Sequence, residues 1–312
     1  MTTSSSRTPT PALATRPASP AAADPYADIP QLLGEVVIPV SVAPQPCEDI
    51  VARVSRTLDR LDELSELIAL ENDYRPATLP YELPRGFRLS IVIPVYNEER
   101  TIGRVLARVA ALPIPKEIIV VDDASTDGTQ RVLQAVDKAR GVHTIIKPTN
   151  EGKGAALRTA FRRATGDVVV VQDADLEYDP RDIVGLIRPI VEGRADVVYG
   201  SRFIDPEQDR SLVHRLGNRV LTWASNVTTG LELTDMETCY KAFRRDTLRA
   251  IEIQQNRFGF EPEVTAKLAR RNYRFSEVAV SYSARSYAEG KKIGLRDLAN
   301  ALWCIARYGV CD

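Results

Sequence analysis

From Leu89 onward, short and almost wholly apolar runs alternate with longer segments whose apolar residues recur every three or four positions. The runs Leu89 to Val95, Glu117 to Val121, Val142 to Ile146 and Val168 to Val171 read as strands; four consecutive valines in the last are the pattern of a strand buried on both faces. Between them, Thr101 to Leu112 predicts a helix burying Ile102, Val105, Leu106 and Val109. A second helix starts near Gly128 with Val132, Leu133 and Val136 on one face, and Lys153 to Ala164 forms a third. Strands alternating with helices in this way imply right-handed crossovers and an α/β fold, a doubly wound, mostly parallel sheet with helices on both faces.

The region before residue 88 is patterned differently. Residues 1–30 are rich in Thr, Ser, Pro and Ala, too polar to offset chain entropy, and read as a disordered tail. Within the extension 31–87, Ile50, Val51, Val54, Leu58, Leu61, Leu64 and Ile68 fall at helical spacing and predict an isolated amphipathic helix over 47–71. Its stripe packs on the domain or a second subunit, or lies on a membrane. The stretch from Pro76 to Pro84 reads as a linker to a catalytic domain at 88–312.

Composition narrows the function by exclusion. The 312 residues carry 41 Lys and Arg against 42 Asp and Glu, a net charge of -1, which argues against a nucleic-acid partner. Between Arg270 and Tyr308, however, eight basic residues face three acids, so that end expects an anionic partner. The four cysteines lack metal-ligand spacing and disulfide density, which suits a reducing compartment. With no apolar run of membrane-spanning length and no signal-like amino terminus, the expectation is a cytoplasmic protein.

Candidate chemistry gathers where the strands end. Polar clusters follow the first strand (Tyr96, Asn97, Glu98, Glu99), the second (Asp122 to Thr129) and the fourth (Asp173, Ala174, Asp175, Leu176, Glu177). Open α/β sheets bind ligands at this rim. Taken alone, Asp173 and Asp175 read either as a turn that caps the next helix or as ligands of a hard divalent ion. Three acidic clusters on one rim would repel one another without a cation or donors between them, which favours the second reading. Ser125, Thr126 and Asp127 read mainly as helix caps, while Asp123 is placed to accept from a planar ligand. Tyr96 either stacks on that ligand or packs in the ordinary way. Gly152-Lys153-Gly154 can offer backbone N–H groups to an anion, but it lacks P-loop spacing. No Gly-x-Gly-x-x-Gly follows the first strand, so a dinucleotide dehydrogenase is disfavoured.

Together, Pro94-x-Tyr96-Asn97-Glu98, Val121-Asp122-Asp123-x-Ser125-x-Asp127-Gly128-Thr129, Asp173-Ala174-Asp175-Leu176, Gly200-Ser201-Arg202 and Asp235-x-x-Thr238-x-Tyr240-Lys241 resemble family 2 glycosyltransferases of the GT-A fold. Within that family they look most like the dolichyl- and polyprenyl-phosphate sugar synthases. The resemblance covers about 88–308. It implies a metal-dependent inverting transfer of sugar from a GDP- or UDP-linked donor to a polyprenyl or dolichyl phosphate, with Mg²⁺ or Mn²⁺ as cofactor. By the same likeness Pro94, Tyr96, Glu98, Val121 and Asp123 line the nucleoside; Asp173, Ala174 and Asp175 hold metal and diphosphate; Arg202, Arg285 and Lys291 bind phosphate. Glu177, where the family often has Gln, either adds a third carboxylate to the metal or points to water. The resemblance also leaves room for peripheral contact with the cytoplasmic face of a membrane and for a homo-oligomer. A saccharide or small-molecule hydroxyl acceptor, and a non-catalytic sugar-nucleotide-binding protein, are the alternatives.

Leaving-group charge would be stabilised by the cation with Arg202 and Lys291, expected on opposite sides of the diphosphate at a solvated rim. A phosphate acceptor needs no strong base; a hydroxyl acceptor would need Asp235 or Glu237, with Asp235 otherwise pairing an arginine. Catalytic roles therefore fall on Asp175, Arg202 and Asp235. Glu261-Pro262-Glu263 opens a helix to about Arg271 with acids complementing its dipole, unless 256–260 is a mobile acceptor-side loop. In 295–308, Leu295, Leu298, Ala299, Leu302, Trp303 and Ala306 form one stripe. It either closes the core or, beside Lys291 and Lys292, lies on an anionic membrane.

Overall fold

The computed structural model describes residues 74–75, 77–136, 141–204, 212–284 and 295–310. The expected tail, the amphipathic helix at 47–71 and the basic residues Arg285 and Lys291 lie outside the described residues.

The element order is β1 (Leu89–Val95), α1 (Ile102–Ala110), β2 (Lys116–Asp122), α2 (Thr129–Val136), β3 (Val142–Ile146), α3 (Lys153–Arg163), β4 (Val168–Val171), α4 (Ile183–Val191), β5 (Val197–Ser201), α5 (Leu212–Thr229), β6 (Lys241–Arg244), α6 (Arg245–Arg249), α7 (Phe260–Ala269), β7 (Phe275–Ala279) and α8 (Leu295–Val310). The strands form one sheet in the order β3-β2-β1-β4-β6-β5-β7. The apolar runs explain its centre: β1 and β4 are buried along their whole length and β2 over all but its first residue. Each valine of β4 contributes roughly 1.5–3 kcal/mol by leaving water. α1 buries the four residues its periodicity selects.

Two features of the topology place the site. Strand order turns back between β1 and β4, so a crevice opens at their carboxyl ends, the switch point where such sheets bind ligands. β4 pairs with β1 only as far as Val92, which leaves Pro94, with no N–H to donate, beyond the end of that neighbour. The second feature is β6, which runs antiparallel to both β4 and β5. The chain enters β6 from the rim at which the parallel strands end, with Lys241 opposite Tyr199. The preceding residues, 235–240, therefore run along that rim.

The stretch before β1 is more than a tether. Tyr74 donates from its hydroxyl to Asp179 Oδ1 at 3.3 Å and lies under the guanidinium groups of Arg108 and Arg181; Tyr81 donates to the carbonyl of Val184 at 2.6 Å.

α8 packs differently from its sequence pattern. The buried face is Ala301, Cys304, Ile305 and Tyr308, whereas Ala299, Leu302, Trp303 and Ala306 of the expected stripe are exposed. Small and sulfur-bearing residues fit against α5 and α7, where Gly309 meets Thr228. The wide apolar band of the helix gave periodicity two faces to choose from.

Gly200 in β5 has no room for a side chain: a Cβ there would stand 2.6 Å from Val280 Cγ1 and 2.9 Å from Tyr240 Cβ. Gly200→Ala is expected to lower stability by about 1–3 kcal/mol, read as a lower urea midpoint at unchanged slope. A midpoint equal to wild type would show that β5 and its neighbours part freely here.

Candidate active site at the carboxyl rim

The loops after β1 and β2 are stitched together by their own side chains. Asn97 N–H donates to Ser125 Oγ at 2.9 Å, Thr126 N–H to Asn97 Oδ1 at 2.8 Å and Glu98 N–H to Thr129 Oγ1 at 2.9 Å. Of the three expected caps, Asp127 accepts from Thr129 N–H at the start of α2, while Ser125 and Thr126 serve the Asn97 loop instead. Asn97, Ala124 and Leu176, one after each of β1, β2 and β4, have φ of 56°, 62° and 61°. Left-handed backbone at non-glycine residues is held in place only by surrounding structure and concentrates at ligand sites. Beside these loops Tyr96 is exposed and Glu98 half-buried, whereas Pro94 and Val121 are enclosed in the sheet. A cavity of about 320 Å³ bounded by Phe87, Asp167 and Arg244 opens at the opposite, amino ends of β1 and β4.

Asp123 is not open to a ligand as its sequence position suggests. Its buried carboxylate accepts from Lys147 Nζ at 2.6 Å, from Glu151 N–H at 3.1 Å and from Gly152 N–H at 2.5 Å. The Gly-rich entry to α3 thus binds an anion belonging to the chain itself. Lys147 follows β3 directly; the strand-end reasoning that selected the acids, extended to this strand, would have found it.

Asp173 meets Lys153 Nζ at 3.1 Å, and the same ammonium group lies 3.3 Å from Glu261. Burial disfavours the lysine's charge, but Asp173 and Glu261 outweigh it and hold its pKa well above the ordinary value. Asp175 accepts from Glu177 N–H at 3.1 Å. Glu177 in turn accepts from Tyr282 Oη at 2.8 Å, and the Tyr282 ring lies 5.1 Å from the guanidinium carbon of Arg202. A continuous line of contacts therefore links the Asp173–Asp175 loop to Arg202.

Arg202 is largely buried, not on the solvated rim expected for it. Its Nε and Nη2 donate to the two oxygens of Asp235 at 2.6 and 2.8 Å, and Asn218 Nδ2 donates to the same carboxylate at 2.9 Å. Burial alone would raise the Asp235 pKa, but the guanidinium prevails and holds it below the usual range. A carboxylate so held is a weak base, and this one positions Arg202. Replacing either partner strands a buried charge at a cost of about 3–5 kcal/mol, so Arg202 carries stability as well as any chemistry.

Glu237 differs. It is half-buried, its Oε1 is enclosed without a partner, and burial, reinforced by the negative charge of Glu261, pushes its pKa up to about 8. Nearby, Lys241 donates to the carbonyls of Met236 and Thr238 and lies over the Tyr199 ring. Glu261 and Glu263 are more than dipole complements at the start of α7. Glu263 accepts from the backbone N–H groups of Gln254 and Gln255, both at 2.7 Å, and fixes the loop that covers α3.

The residues fit a divalent ion in one way. Asp173 and Asp175 supply hard oxygen donors, and Lys153 already seats a positive charge on Asp173. Among the described residues no three His, Cys, Asp or Glu side chains gather as a metal-binding group, and the Glu177 carboxylate is engaged by the Tyr282 hydroxyl. An ion here would draw on two carboxylates and on phosphates of a substrate, as Mg²⁺ commonly does.

An α/β sheet with this strand order and a cation-paired acidic rim at its switch point is a crevice of the kind in which such sheets bind ligands, and comparison with known proteins specifies its class. The model of glycosyl transferase family 2 matches residues 90–252. The chain is 32% identical over 236 residues to undecaprenyl-phosphate mannosyltransferase of Micrococcus luteus, covering 72% of this chain and 94% of that protein. It is 31% identical over 222 residues to undecaprenyl-phosphate 4-deoxy-4-formamido-L-arabinose transferase of Aeromonas hydrophila, spanning 65% of that protein's length. The chain belongs to glycosyl transferase family 2 and is a glycosyltransferase. Its fold is shared with glucosyl-3-phosphoglycerate synthase from Mycobacterium tuberculosis in complex with UDP, at a TM-score of 0.59 and 22% identity over 76% of this chain and 88% of that one. The same synthase crystallised with Mn²⁺, UDP-glucose and phosphoglyceric acid gives a TM-score of 0.55 at 23% identity, over 71% and 81% of the two chains. The sheet is thus of the GT-A type.

Because the Glu237 pKa is raised in the folded protein, its burial weakens the fold progressively as pH rises from about the ordinary carboxylate value toward 8. Glu237→Gln keeps the neutral form at every pH. The variant is expected to match wild type near pH 5 and to exceed its Tm near pH 9 by at least about 2–4 °C, the shift that 1 kcal/mol produces in a domain of this size. Parallel Tm profiles for the two proteins would mean that Glu237 is not enclosed.

Proposed function

We propose that the chain transfers a sugar, with inversion, from a GDP- or UDP-sugar to a polyprenyl phosphate with the help of Mg²⁺ or Mn²⁺. The observation that carries this reading is the line of contacts Asp175–Glu177–Tyr282–Arg202–Asp235, which sets Asp175, Glu177 and a guanidinium anchored by Asp235 along one rim. The acceptor class is supported by the likeness to undecaprenyl-phosphate mannosyltransferase over nearly all of that protein's length.

In this reading Tyr96 and Glu98 border the nucleoside, and Asp173 and Asp175 hold the metal. That metal, when bound, neutralises charge on the diphosphate. Asp235 uses two of the five donors of Arg202, and the guanidinium presents its remaining donors to the β-phosphate as the bond to the sugar breaks. Asp123 acts indirectly, holding the Glu151–Gly152 turn beside the nucleoside. Arg285 and Lys291 are assigned to the phosphates on motif spacing alone. A phosphate acceptor is already an anion and needs no proton removed. We place the reaction at the cytoplasmic face of a membrane and assign it to a domain at 88–312, residues 1–87 being an extension. The raised pKa of Glu237 favours a second reading, in which this side chain serves as base toward a hydroxyl acceptor.

Transfer of labelled sugar from a panel of UDP- and GDP-sugars to undecaprenyl phosphate, read by product mass, tests the assignment. Asp175→Asn is expected to lower turnover by about 10²-fold or more, and chelation to abolish it until Mn²⁺ or Mg²⁺ is restored. A near-normal rate in chelator-treated enzyme would refute the metal role.

A further inference from the structure

α5 and α8 share an unusual division of labour between their two faces. The inner face of α5 serves the candidate site: Asn218 donates to Asp235, Leu221 is in the core, and Thr222 Oγ1 accepts from Met236 N–H at 3.1 Å. Its outer face carries Leu216, Val220, Trp223 and Val227, which are 66%, 47%, 68% and 66% exposed. These positions are spaced i, i+4, i+7, i+11. α8 repeats the arrangement. On its inner face the Tyr308 hydroxyl accepts from Gln255 Nε2 at 2.9 Å, next to Asn256, whose carbonyl accepts from Ala155 N–H in α3. On its outer face Ala299, Trp303, Ala306 and Val310 stand at the same i, i+4, i+7, i+11 spacing, all exposed, with Leu302 exposed beside them. The helices touch at Thr228 and Gly309.

A globular protein exposes single apolar residues routinely, but two adjoining helices with matching apolar stripes form a surface that calls for a partner. Both tryptophans of the chain, Trp223 and Trp303, stand on it. We propose that the outer faces of α5 and α8 together are a docking surface for an anionic lipid bilayer. This proposal gives the lipid-phosphate reading a surface to act from, and rests on that reading for its purpose but not for its evidence.

Charge selects the bilayer over a second copy of the chain. Among the described side chains of α5 and α8, Arg219 and Arg307 are exposed and none is acidic, in a chain whose overall charge is -1. Basic residues flanking an apolar stripe match the negative surface of a membrane, whereas a two-fold contact would set the same arginines against their copies. Arg307 lies with its guanidinium carbon 5.5 Å from the Trp303 ring, a pairing that keeps charge and indole together at a boundary between water and lipid. Docked in this way, the inner faces of both helices tie the bilayer side of the protein to Asp235 and, through Gln255 and the loop it belongs to, to α3.

Because both tryptophans lie on the surface, the intact protein reports its own docking. Mixed with phosphatidylcholine vesicles containing phosphatidylglycerol at low ionic strength, the full chain is expected to shift its tryptophan emission to the blue and to be quenched by brominated acyl chains. Salt should reverse both effects. A Leu216→Glu, Val227→Glu double variant keeps both tryptophans and is expected to partition at least about tenfold more weakly. It should transfer sugar to a short, water-soluble polyprenyl phosphate as wild type does. No blue shift of wild type at low salt would overturn the proposal. So would equal vesicle binding by the folded double variant, or a lipid-free dimer that the variant dissolves in sedimentation. Vesicle binding without transfer to any lipid phosphate would leave the docking surface standing and refute the acceptor assignment.

Discussion

Three carboxylates reach the rim of the sheet with cations already seated on them: Lys147 on Asp123, Lys153 on Asp173 and Arg202 on Asp235. The first pair closes the open end of two strands that are already neighbours, and the other two join elements that the sheet alone leaves separate. The first ties the end of β2 to the end of β3; the second ties β4 to α3 and, through Glu261, to α7; the third ties β5 to the segment before β6, with α5 added by Asn218. A buried charge without its partner costs several kcal/mol, so these pairs fix where the loops lie. The shape of the crevice is in this sense an electrostatic construction resting on an apolar base.

Fixing charge before substrate arrives is what the proposed transfer from a nucleoside-diphosphate sugar requires. Groups that need not reorganise stabilise developing charge far better than water does, and a guanidinium held along one edge by Asp235 and against the Tyr282 ring cannot drift away from its place. The left-handed residues Asn97, Ala124 and Leu176 belong to the same economy of position, each holding a loop at an angle that an extended chain would not take.

The centre of this arrangement was legible in the sequence because it is local. β1 and β4 are unbroken apolar runs, α1 has a single clean stripe, and the acids follow their strands directly. What escaped was set by partners distant in sequence. β6 is only Lys-Ala-Phe-Arg, with a buried lysine at its head, and nothing in those four residues announces a strand between β4 and β5. Asp123 was read as open because the ammonium group that occupies it comes from residue 147, and Arg202 as solvated because Asp235 lies 33 positions on. In α8 an apolar band wider than one face left the choice of inner side to the neighbours, and α5 and α7 selected the face of Ala301, Cys304, Ile305 and Tyr308.

The position of β6 also dictates an order of assembly. Strands β1 to β4 can pair as they leave the ribosome, each new parallel strand finding a neighbour already made. β5 cannot join them, because the place beside β4 belongs to β6, a strand that is synthesised about forty residues later. Until then the four valines of β4 keep an open edge, and non-local closure of this kind is slow and exposes apolar surface. The nascent chain is therefore most vulnerable to aggregation in the interval between residues 171 and 244, and a chaperone or a pause in translation would do most for it there.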